Sequence, residues 1–242
     1  MRIDKLLANV GFGSRKEVKK ILRAGAVKAN GKIVTDGKIH VDPNHDEITV
    51  YGETVKYKEF IYLMMNKPAG VISATEDVYD QTVTDLLDID DAIYKPFPVG
   101  RLDKDTVGLL LLTNDGQLAH QLLSPKKYVP KTYYAVVRGT VTKTDQEQFS
   151  EGVELDDGYV TKPAKLKILR SGEIQSEIEL TITEGKYHQV KRMFEAVGKK
   201  VVYLKRLSMG PIQLDKDLLE GEYRELTDEE ITLLKELQVA KD

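Results

Sequence analysis

Residues 100–116 read GRLDKDTVGLLLLTNDG. Asp103 lies two residues after Arg101 in a polar loop, and an apolar run from Val107 to Leu112, interrupted only by Gly108, follows it. A carboxylate has two chemical uses in a reactive site: it attacks an electrophilic carbon, or it takes a proton. Either use needs a group held still, and a loop leading directly into a buried strand provides that support. The ordinary alternative is an aspartate that turns or caps the chain. The 242 residues include no cysteine and only four scattered histidines, which excludes disulfides, thiol chemistry and a Cys/His zinc site.

The elements that must position Asp103 belong to a chain long enough for one large domain, or for a small and a medium one. A composition of 41% hydrophobic and 31% charged residues is that of a globular protein with a real core. No apolar run approaches the roughly 18 residues of a membrane span, and MRIDKLLANVG lacks a signal-peptide core. A cytoplasmic location with no membrane partner is therefore expected. The net charge of −3 conceals an asymmetry. Nine Lys/Arg against two acidic residues give residues 1–32 a net +7, so the remainder carries −10. A basic head on an acidic body calls for an anionic partner, typically nucleic acid.

The head predicts two short helices and a hairpin. Ile3, Leu6, Leu7 and Val10 form one apolar stripe, ended by Gly11 and Gly13. Ser14 and Glu17 of SRKE form a capping box for a second helix that buries Val18, Ile21 and Leu22 and stops at Gly25. Its other face carries Arg15, Lys16, Lys19 and Arg23. In AVKANGKIV, Asn30-Gly31 demands a type I′ hairpin turn, flanked by Lys28 and Lys32. With Arg2 and Lys5, these eight residues are the candidate nucleic-acid contacts of the head.

Residues 51–60 read as a polar connection: the head is taken as 1–55, a linker as 56–60 and the body as 61–242. In the body, strand-like runs IYLMM, VVRG, AKLKIL, SEIELTI and VVYLKRL alternate with helical patterns at DGQLAHQLLS and HQVKRMFEAVG. The second of these buries Val190, Met193, Phe194 and Val197. An acidic tail, 211–242, ends in an amphipathic DEEITLLKELQ. Strands and helices interleave without regular βαβ spacing, which predicts an α+β fold. Residues 184–206 hold seven basic residues against two acidic ones, a second basic cluster suited to nucleic acid.

The head resembles the small RNA-binding module named after ribosomal protein S-four. The body carries NKPAG (66–70), GRLDKDTVGLLLLTNDG, KTY (131–133) and EGKYHQVKRMF (184–194) in one order. That set resembles the pseudouridine synthases, and among them the RsuA family that modifies ribosomal RNA. The resemblance implies a catalytic domain built on a mixed, mainly antiparallel sheet flanked by helices, an isomerisation that flips a uridine out of the RNA, and neither cofactor nor metal.

It implies Asp103 as the catalytic carboxylate, acting as nucleophile or as base at the sugar. Lys191 would sit beside it and favour its ionised form, with Arg192 the neighbour it is most easily confused with. Tyr133 would stack on the base and help move the carbon-five proton, leaving Tyr134 as the better core tyrosine. Arg101 would fill the gap left by the flipped nucleotide, Asn66 and Lys67 would line the same cleft, and His188, Gln189 and Arg192 would contact RNA. Asp105 is read as ordering the loop.

The DKDT form of the Asp loop, SPKKYVPKTY, TKPA and EGKYHQVKRMFEAVG look most like family members acting on 16S rRNA, at the uridine conventionally numbered 516. The implied protein is a monomer that acts on free rRNA or on a partly assembled small subunit. The alternatives are the same reaction on 23S rRNA, or a non-catalytic RNA-binding assembly factor.

Overall fold

The computed structural model describes residues 1–43 and 45–239. Asn44 of the head and the last three residues of the acidic tail lie outside the described residues. Two compact units emerge: Met1–Ile61 with Asp88–Lys95, and Tyr62–Leu87 with Pro96–Asp242.

In the first unit, α1 (Ile3–Asn9) and α2 (Arg15–Arg23) precede β1 (Val27–Ala29), β2 (Lys32–Ile33), β3 (Ile48–Val50) and β4 (Glu53–Thr54), paired in the order β2-β1-β3-β4. Ile3, Leu6, Leu7, Val18 and Leu22 are buried, while Val10 and Ile21 are half-buried at the edge of that core. Ser14 and Glu17 make the reciprocal capping box. Asn30 and Gly31 both adopt positive φ, as a type I′ turn requires. Within the stretch 51–60, Glu53–Thr54 pairs with β3, and Val55 and Tyr57 pack on the head core. A later segment, Asp88–Lys95, joins this unit through α3 (Ile89–Ala92), with Ile93 lying against Gly11.

The second unit is α+β. Its strands are β5 (Tyr62–Lys67), β6 (Phe97–Pro98), β7 (Val107–Thr113), β8 (Lys131–Arg138), β9 (Lys165–Arg170), β10 (Gln175–Ile182), β11 (Lys200–Met209), β12 (Ile212–Gln213) and β13 (Tyr223–Glu225). Seven of them follow the order β13-β5-β7-β11-β8-β10-β9, with β12 on β11 and β6 on β7. Among these strands, β7 with β11 is the parallel pair and the rest are antiparallel.

Every residue of β7 is buried, as its continuous apolar run demands for a strand covered on both faces. Gly108 interrupts the run for a steric reason. Its φ is +100°, and a Cβ there would lie 2.3 Å from the Arg206 carbonyl oxygen of β11. The helices are α4 (Gly116–Leu123), α5 (Lys143–Glu151), α6 (Gln189–Ala196) and α7 (Asp228–Val239). Leu118 and Leu122 of α4 and Leu234 of α7 pack with Met64, Leu109 and Leu111 of the sheet. Phe149 of α5 meets Phe194 of α6 with ring centroids 5.0 Å apart. Among the described residues, no helix is long and apolar enough to cross a membrane.

Candidate active site

The site lies on one face of the sheet. Lys131, Tyr133 and Ala135 point to the same side of β8 because side chains alternate along a strand. Tyr133 stands between Leu180 of β10 and Arg206 of β11. Tyr134 faces the other way, donating its hydroxyl to Glu177 and meeting Tyr203 edge-on. The division of labour differs from the sequence reading in one respect: Tyr133 is the more buried of the two, 8% exposed, because it lies under the cleft.

Asp103 enters this face from the loop before β7. The loop is pinned on several sides. Ser73 exchanges hydrogen bonds with the Leu102 backbone, Gly70 N–H donates to the Lys104 carbonyl, and Thr106 N–H donates back to the Asp103 carbonyl. Below it, Lys67 Nζ donates to the carbonyls of Pro68 and Thr106, both at 2.9 Å.

From the opposite side, α6 presents Lys191, whose ammonium donates to Asp103 Oδ2 at 2.9 Å and to Asp105 Oδ1 at 2.7 Å. His188 Nε2 lies 3.5 Å from Asp103 Oδ1. Burial works against the Lys191 ammonium, but its bonds to the two carboxylates outweigh that and raise its pKa. The same lysine holds the Asp105 carboxyl below the usual carboxylate range. Asp105 thus does more than order the loop, since it shares the catalytic candidate's cation.

Arg101, Asp103, Tyr133, His188, Lys191 and Leu204 line one open cleft. An exposed arginine, a carboxylate, a cation and a phenol ring converge there. Of two adjacent basic residues on α6, Lys191 turns toward Asp103 and Arg192 turns away. Arg192 is clasped by Asp156 and Asp157 and is not part of the cleft.

Several expected RNA contacts are committed elsewhere. Asn66, 3% exposed, is the penultimate residue of buried strand β5 and donates its amide to the Leu218 carbonyl. Lys67 is fully buried beneath the loop. Neither lines the cleft; both satisfy carbonyls where β5 runs into the turn. Burial depresses the Lys67 pKa to about 8, the charges of Asp105 and Asp103 opposing it. Gln189 borders the cleft with its amide already used, accepting from Lys186 N–H and donating to Glu184.

In the head, Arg2 chelates the buried carboxylate of Asp4 through two hydrogen bonds, at 3.0 and 2.6 Å. Lys5, Arg15, Lys16, Lys19, Arg23, Lys28 and Lys32 are exposed, as a phosphate-binding surface requires. The second basic cluster is neutralised at three of its seven cations. Lys191, Arg192 and Lys199 pair with Asp103/Asp105, Asp156/Asp157 and Asp145, carboxylates distant in sequence.

Sequence reasoning missed Glu184. It accepts from Tyr159 Oη, Lys162 N–H and Gln189, and so ties the loop before α6 to the 159–162 segment. An isolated acid inside a basic run was the available signal.

A family model described as RNA pseudouridylate synthase matches residues 61–196, and one described as S4 domain matches residues 1–47. A Bacillus subtilis protein named uncharacterized RNA pseudouridine synthase YtzG is 61% identical over 98% of this chain and 100% of its own length. Ribosomal small subunit pseudouridine synthase A of Haemophilus influenzae is 43% identical, covering 97% of this chain and 99% of that protein. Ribosomal large subunit pseudouridine synthase B of Bacillus subtilis is 42% identical, covering 98% and 96%. A crystal structure of a pseudouridylate synthase, 41% identical, matches with a TM-score of 0.68 over 97% of this chain and 99% of that one. This chain, an isomerase with an S4 domain at its N-terminus, belongs to the RNA pseudouridylate synthase family.

Proposed function

We propose that this enzyme converts one uridine of 16S rRNA, uridine 516, to pseudouridine, with Asp103, Lys191 and Tyr133 as its catalytic residues. Residues 1–55 hold the RNA through the exposed basic face of α2 and the lysine-flanked hairpin, and residues 61–242 carry the reaction. The observation behind this reading is the Lys191 ammonium 2.9 Å from the Asp103 carboxylate, in a cleft walled by Tyr133.

Flipping a uridine costs a few kcal/mol of lost stacking, which the Arg101 guanidinium recovers in part by filling the gap. Tyr133 stacks on the extruded base. Asp103 then acts on the nucleoside so that the ribose C1′–N1 bond breaks. The uracil rotates, a C1′–C5 bond forms, the proton leaves C5 and N1 gains one. Atoms and electrons balance within the substrate. The protein acts as a monomer in the cytoplasm, on free rRNA or on a partly assembled small subunit.

Asp103→Asn is expected to abolish tritium release from RNA labelled at carbon five, with RNA affinity unchanged within a few-fold. Substantial turnover by the purified variant would refute the assignment. The target is tested by mapping pseudouridines in rRNA of cells lacking the protein. Loss at 16S position 516 supports the main reading. Loss at a 23S position supports the second, which the 42% identity to the large-subunit enzyme favours.

A further inference from the structure

A second cavity, of about 260 Å³, adjoins the Asp103 cleft and shares Arg101 and Tyr133 with it as a common wall. Lys131 and Arg206 border it from neighbouring strands, on the same sheet face as Tyr133. Both are more than nine-tenths buried: Lys131 is 9% exposed and Arg206 2%. Lys131 Nζ donates to the Val129 carbonyl, and Arg206 Nε to the Leu109 carbonyl. Arg206 Nη2 is buried with no hydrogen-bond partner among the described residues.

Neither cation is in an ion pair among those residues, although Lys191, Arg192 and Lys199 all are. Glu184 lies on the same wall, already accepting three hydrogen bonds from the protein. Burial, with the nearby charge of Arg206 adding to it, lowers the Lys131 pKa to about 8, as expected of two like charges held together out of water. Two buried cations facing one cavity, with most of their eight donors unspent and neither in an ion pair with Glu184 or another acid among the described residues, are costly unless an anion completes them.

We propose that Lys131 and Arg206 form the floor of a phosphate subsite, which takes the RNA phosphodiester adjoining the nucleotide held at Asp103. The inference rests on the catalytic reading above for what occupies the neighbouring cleft. The shared wall is the reason for choosing a backbone phosphate: a strand whose base enters beside Tyr133 carries its own linkage past Arg101. A guanidinium fork and a lysine ammonium match phosphate oxygens in both charge and geometry. Lys162 and Lys186, at the rim of the same cavity, add to the field that draws the linkage in.

The test uses the full-length enzyme and a 16S rRNA fragment carrying uridine 516. A single neutral methylphosphonate replaces the linkage 5′ of that uridine, the linkage 3′ of it, or a remote one. Wild-type affinity is expected to fall about ten-fold or more for one flanking replacement, the loss of a charge-assisted contact, and to hold for the remote one. Lys131→Met should lose a similar factor on unmodified RNA and nothing further on that neutral RNA.

Equal effects at all three linkages overturn the proposal. So does a Lys131→Met loss that is the same on both RNAs, or one confined to the rate at saturating RNA, which would assign the cations to the base. If Lys131→Met does not fold, the wild-type linkage scan decides alone. RNA that binds but is not converted refutes the choice of target, while the linkage scan still reads the subsite.

Discussion

Replacing Gly108 by alanine tests the geometry that sets Asp103 against Tyr133. The added Cβ would lie 2.3 Å from the Arg206 carbonyl oxygen and 2.8 Å from its amide nitrogen, both backbone atoms that cannot swing aside. At φ +100° the residue also lies where L side chains are strained, a cost of about 1–3 kcal/mol. Relieving the clash means moving β11 from β7 along their parallel pairing, where Lys205 opposes Val107 and Arg206 opposes Gly108. Loss of one or two ladder hydrogen bonds there adds roughly 1 kcal/mol each.

The expected destabilisation is therefore about 2–5 kcal/mol. It is read as a lower urea midpoint at unchanged slope. Gly158→Ala is the control, because Gly158 has φ +80° but open space where its Cβ would go, so it reports the conformational cost alone. Should the two variants lose the same stability, the close approach of β7 and β11 is not what demands glycine at 108. Any folded Gly108→Ala fraction should also turn over more slowly, since the displaced strands carry the Asp103 loop and Arg206.

Lys191→Met should lower kcat/KM about ten- to hundred-fold through loss of one partly screened charge-assisted bond to Asp103. Arg192→Met, which breaks its clasp with exposed Asp156 and Asp157 and a long hydrogen bond to the Tyr187 carbonyl, should stay within about three-fold of wild type. Equal losses in steady-state assays would mean that α6 presents the other cation to the reaction. Asp145 supplies a pH dependence. Burial would raise its carboxyl pKa, but Lys199 and the Thr142 N–H outweigh burial and hold it below the ordinary value. Its contribution to stability is then full above about pH 4, the unfolded carboxyl pKa, and is lost as pH falls toward the lower folded value. Urea midpoints followed from pH 6 to pH 3 should fall less steeply in Asp145→Asn; parallel curves would rule Asp145 out as the source.

What could be read from the sequence was whatever depends on local pattern. The capping box at Ser14, the Asn30-Gly31 turn and the apolar stripe of α6 follow from spacing alone, and all three are present. Helix α5 escaped because KTDQEQFSE offers one buried apolar residue, Phe149, whose ring partner Phe194 lies 45 positions later.

The same nonlocal logic governed the site. Whether Lys191 or Arg192 meets Asp103 is a question of helix rotation, which Val190, Met193 and Phe194 settle by burying the opposite face. Asn66 and Lys67 resembled cleft residues in a Gly/Pro turn, yet they lie at the end of an interior strand, where the Asn66 amide N–H and the Lys67 ammonium donate to carbonyls of the chain. Lys131 and Arg206 gave no sign of their relation, because two strands far apart in the chain bring them together only when paired.

The double engagement of Lys191 has a bearing on turnover. In the proposed reaction Asp103 surrenders its negative charge at some stage, whether it bonds to carbon or accepts a proton. An ammonium tethered to that group alone would then be stranded without a counter-ion in a half-enclosed space. Here the second oxygen ligand, on solvent-facing Asp105, keeps the lysine anchored and compensated throughout the cycle. The first carboxylate can come and go chemically without the helix beneath it having to shift.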